Sequence, residues 1–113
     1  MFGTTLLLVA ALAAQSSANA DKARADYLKC MRGFLHESVN AKMPDSEFTL
    51  AVKSACSAEQ AAFHAAVMAL DRADGMKPAD AKENADLQVE DYIENFKEKF
   101  ADYMASGTLP PKE

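Results

Sequence analysis

The chain has 113 residues, with 12 Lys and Arg against 17 Asp and Glu, for a net charge of −5. This acidic balance, without any cluster of Lys or Arg, excludes a nucleic-acid duplex as partner and disfavours an anionic membrane surface, because both select for clustered bases. The length allows one domain, small enough that burial alone leaves a narrow stability margin.

The chain opens as a secretory signal peptide. Leu6 to Ala14 is an uninterrupted apolar run, followed by Gln15-Ser16-Ser17 and then Ala18-Asn19-Ala20, the small-x-small pattern that a signal peptidase accepts. A membrane-spanning helix needs roughly 20 apolar residues, and this run is about half that. One feature departs from the usual pattern: no Lys or Arg precedes the run. The expectation is cleavage after Ala20, a helical domain over 21–107, a disordered tail over 108–113, and no stable membrane insertion once the signal is gone. The alanine-rich signal and short mature chain fit a bacterial periplasmic location, or an extracellular one.

Three amphipathic segments follow. In the first, from about Lys22 to Ala41, the residues Tyr27, Leu28, Met31, Phe34, Leu35 and Val39 recur at helical steps. It ends near Pro44, which pushes Met43 out of the α region. The second starts after Asp45 or Ser46, either of which suits an N-cap, and runs to about Ala73 with Phe48, Val52, Ala55, Cys56, Phe63, Val67 and Leu70 as its stripe. Gly75 is placed to close it in the left-handed conformation. The third starts at Pro78, suited to the first helical position. Its face is traced by Ala81, Ala85, Val89, Tyr92, Ile93, Phe96, Phe100, Tyr103 and Met104, and Gly107 ends it. Short links favour antiparallel neighbours, so the predicted fold is all-α: a three-helix antiparallel bundle, up-down-up. Its core is predicted to be thin where the alanines of the second and third segments meet near Gly75, and thick near Pro44.

Two cysteines in an exported chain read as one disulfide. Cys30 lies 13 residues before Met43 and Cys56 lies 13 after it, so a hairpin centred there sets them at one height. Gly33, one turn from Cys30, reads as a device for close helix approach, since a mid-helix glycine otherwise costs about 1 kcal/mol.

The constellations that would carry chemistry are weak. His36 and His64 fall roughly 21 Å apart along the hairpin, too far to share a metal. The string from His36 to Asn40 opens like a zincin helix but lacks the second His. No Cys-x-x-Cys-His is present for covalent haem, and the methionines and the aromatic stripe read as core filler. These observations predict no catalytic residue, no cofactor and no metal site, with the histidines solvated or capping. The sharpest surface feature is acidic: Asp86, Glu90, Glu94, Glu98 and Asp102 on the third segment form a candidate docking face for a basic partner. The sequence thus favours a non-enzymatic interaction or accessory protein of the cell envelope, with a small-ligand or metal-binding bundle as the alternative. A long apolar stripe also allows burial against a second copy of the chain.

Overall fold

A computed structural model describes residues 2–112, with side chains from Ala14 onward. Most of the expected signal's apolar run, up to residue 13, lies outside the described side chains. The described residues fold into four helices and no strand: α1, Phe2–Asn40; α2, Asp45–Ala51; α3, Ser57–Ala73; and α4, Pro78–Ser106. Cys30 and Cys56 are joined as a disulfide with Cα atoms 6.1 Å apart, inside the usual range for such a bond.

The predicted second segment is therefore two helices. Of its stripe, Phe48, Val52 and Cys56 are buried as expected, Ala55 is exposed, and the chain leaves the helix over 52–56. Cys56 sits at φ −121°, ψ 45° and caps α3 from outside the helical region. Two tertiary restraints meet at this break. Phe48 stacks between Phe34 of α1 and Phe100 of α4, with ring centroids 5.4 and 4.1 Å away. Cys56 is tied to Cys30 further along α1. The polar residues Lys53 and Ser54 between them are exposed and do not hold the helix by packing. The α2 N-cap also differs from expectation: it is Pro44, and Asp45 is the first helical residue with no side-chain cap.

Helix ends follow local chemistry closely. Gly75 has φ 95°, and the bonds Gly75 N–H to Arg72 O and Met76 N–H to Asp71 O close α3 as a Schellman motif. The same pair of bonds closes α1, from Lys42 to Val39 O and from Met43 to Ser38 O, but there the left-handed residue is Lys42, at φ 53°. Pro78 opens α4 and Gly107, at φ 69°, ends it.

The core contains two aromatic groups. Tyr27, Phe63 and Tyr92 form a triangle joining α1, α3 and α4, with centroids 5.7 to 6.2 Å apart. The Phe34–Phe48–Phe100 stack joins α1, α2 and α4 at the end near Pro44. Ala81 and Ala85 of α4 are fully buried, as the thin end requires. The α3 alanines are not their partners: Ala61, Ala62, Ala65 and Ala69 are exposed, and Phe63 and Val67 take the buried positions. Met104 is likewise exposed rather than part of the thick end. A Cβ added at Gly33 would meet nothing within 4 Å, so close helix approach is not what this glycine provides.

The tail touches the bundle at Pro110. That proline is buried, and its carbonyl oxygen lies 2.7 Å from Nδ1 of His36. A carbonyl only accepts, so His36 carries its proton on Nδ1.

Candidate functional site

Two surface regions bring charged or sulfur-bearing side chains together. The first is the solvent side of α4. Its inward side is committed to the core through Ala81, Ala85, Val89, Phe96 and Phe100, so its acids project outward, and Asp86, Glu90, Glu94, Glu98 and Asp102 are all exposed. Their spacing of four residues advances about 40° round the helix at each step. Over the whole ladder this comes to about 160°. Glu94 and Glu98 lie farthest from the buried side, Glu90 and Asp102 flank them, and Glu90 and Glu94 also line an open hollow against α3 with Lys53, Gln60 and His64. Asp86 faces α3: its Oδ1 accepts from Nε2 of His64 at 2.7 Å, and its Oδ2 accepts from Lys82 at 2.7 Å. The Lys82 ammonium, and then the His64 ring, hold the Asp86 carboxyl below the usual carboxylate range. Glu94 accepts from Lys97 at 3.0 Å. Among the described residues, Glu90, Glu98 and Asp102 enter no ion pair.

No protein-family model, curated protein or solved structure matches the chain. Its chemistry is therefore read from its own side chains.

The second region is an open groove of about 890 Å³ along α1 and the start of α3. Its wall carries the half-buried Cys30, and Gly33, Phe34 and Glu59 line it. The tail reaches its rim through Lys112. Glu59 is in the first turn of α3, where an acid complements the helix dipole. The two Sγ atoms and a Glu59 carboxylate oxygen all lie within 4.8 Å of one another.

The structure brings Cys30 and Cys56 together as the sequence predicts. Both histidines have hydrogen-bond partners: Asp86 for the partly exposed His64 and the Pro110 carbonyl for His36. Sequence reasoning missed Glu59. The signal available was the Cys56-x-x-Glu59 spacing, which sets the carboxylate one turn above the sulfur.

Proposed function

We propose that this is a non-enzymatic interaction or accessory protein of the bacterial cell envelope, exported to the periplasm and freed of residues 1–20 there. In this reading, α1, α3 and α4 act as an up-down-up bundle whose outer α4 side docks a basic partner. The observation that carries it is the position of Glu90, Glu94 and Glu98: exposed, on a helix whose opposite side is buried, and, among the described residues, ion-paired only at Glu94 by Lys97. Such a surface steers an oppositely charged protein and sets its orientation more than its affinity. The disulfide fits an oxidising compartment. Among the described residues no helix is long and apolar enough to cross a membrane.

Capture from periplasmic extract at low and high salt tests this reading. The wild-type chain should retain a basic partner that elutes with salt. The Glu90→Gln, Glu94→Gln, Glu98→Gln variant should lose it while keeping the same helical spectrum. Equal recovery by both chains, or recovery only of the chain's own second copy, would remove the docking reading.

A further inference from the structure

We propose that Cys30, Cys56 and Glu59 form a redox-gated site for a thiophilic divalent cation of the zinc class, shut while the disulfide stands and opened when it is reduced. The inference is independent of the docking surface on α4.

Three observations converge on it. The two sulfurs and a Glu59 oxygen lie within 4.8 Å of one another. In a tetrahedral zinc shell, with bonds of about 2.0 to 2.3 Å, donor atoms sit about 3.5 to 3.8 Å apart, so after reduction the sulfurs must move from a bond of about 2.05 Å to nearly twice that separation. The donors come from two elements, Cys30 from the C-terminal half of α1 and Cys56 with Glu59 from the start of α3, and those elements are positioned by packing beyond the disulfide. Tyr27 stacks on Phe63, and Arg24 lies over the same ring at 5.5 Å. Finally, the half-buried Glu59 carboxylate enters no hydrogen bond or ion pair among the described residues, and the groove beside it is open. A water entering there completes a four-coordinate shell.

The chemistry balances with a dithiol as reductant. One of its thiolates attacks a disulfide sulfur to give a mixed disulfide, and its second thiol resolves that bond. Two electrons and two protons pass to Cys30 and Cys56, and the reductant leaves as a disulfide. The cation then displaces the two thiol protons. Without it, two thiolates beside the Glu59 carboxylate gather three negative charges in one half-buried space, in a groove that Asp26, Lys29, Glu37 and Lys112 also line. A dication removes that repulsion, so binding strengthens as pH rises. Because the cation binds only the reduced form, it makes the disulfide easier to reduce, by about 30 mV for each tenfold excess of free cation over its Kd.

The test uses the full chain, reduced with a dithiol, freed of reductant under inert gas, and titrated with Zn²⁺ alone and with Co²⁺ alone. The reduced chain should take one ion, with thiolate-to-cobalt charge-transfer absorption and an intact helical spectrum. The oxidised chain should take none. Glu59→Gln should bind at least tenfold more weakly, while Glu83→Gln, on the exposed side of α4, should match wild type. The disulfide's midpoint potential should rise with Zn²⁺ and rise less in Glu59→Gln. Absence of binding by the reduced chain, equal affinity in Glu59→Gln, or binding by a chain that has lost its helices would each overturn the proposal.

Discussion

Tyr27 is completely buried, with its hydroxyl 3.5 Å from Oε1 of Gln60, and burial pushes its pKa up to about 12. The unfolded chain releases this proton near pH 10, so between about pH 10 and 12 the folded state binds more protons than the unfolded one. Stability should fall across that window at about 1.4 kcal/mol per pH unit. Urea melts of wild type and Tyr27→Phe between pH 8 and 11 check this: the wild type should lose stability more steeply, and parallel curves would refute it. Gly33 makes a second case. It lies within α1, where an added Cβ meets nothing, so Gly33→Ala should stabilise the protein by about 1 kcal/mol and raise its Tm. A lower Tm would mean that the open space is used by something the static structure does not hold. Ser38 is a local exception to the core's chemistry, since its Oγ is buried with no hydrogen-bond partner among the described residues.

At the scale of elements, the α1 terminus carries a lysine where the α3 and α4 termini carry glycine. Lys42 holds φ 53°, a conformation that crowds its Cβ against the following carbonyl. Lys42→Gly should therefore gain roughly 0.5 to 1 kcal/mol in chemical denaturation; a loss would show that the lysine side chain contributes more than the strain costs. The disulfide acts on the neighbouring helices. Closing 26 residues stabilises the fold by roughly 3.5 kcal/mol in the chain-entropy picture. Thermal melts with and without reductant should separate clearly, and amide exchange should show the start of α3 opening before α4. Coincident midpoints would sink this expectation. The break between α2 and α3 is the part that the hydrophobic pattern hides. Phe48, Val52 and Cys56 keep a helical step of four, so periodicity alone joins them into one rod. The aromatic stack on one side and the cross-link on the other divide it.

On the scale of the whole molecule, the radius of gyration is 17.5 Å, against about 13 Å for a compact chain of this length. The long axis of 63 Å is accounted for by α1, whose 39 residues extend about 58 Å, further than α3 or α4 can cover. Among the described side chains, the buried set starts at Ala20 and forms one cluster from Tyr27 onward. A chain beginning at Asp21 should therefore keep its core, melt within a few degrees of the full chain, and scatter X-rays as a particle with a radius of gyration several ångströms smaller. Loss of cooperative melting would show that the preceding residues belong to the fold.

Much of this molecule was legible in one dimension. Helical periodicity, Pro78, Gly75 and Gly107 marked the long helices and their ends, and the equal spacing of Cys30 and Cys56 about Met43 placed the cross-link. These features depend on neighbours in the chain, or on a register that a single turn sets. The split of the second segment, the docking of Pro110 on His36, the exposure of the α3 alanines and the convergence of Glu59 on two sulfurs were decided only by the tertiary structure. Each depends on which side of one helix meets which side of another, and that is settled by competition among distant side chains for the same buried space.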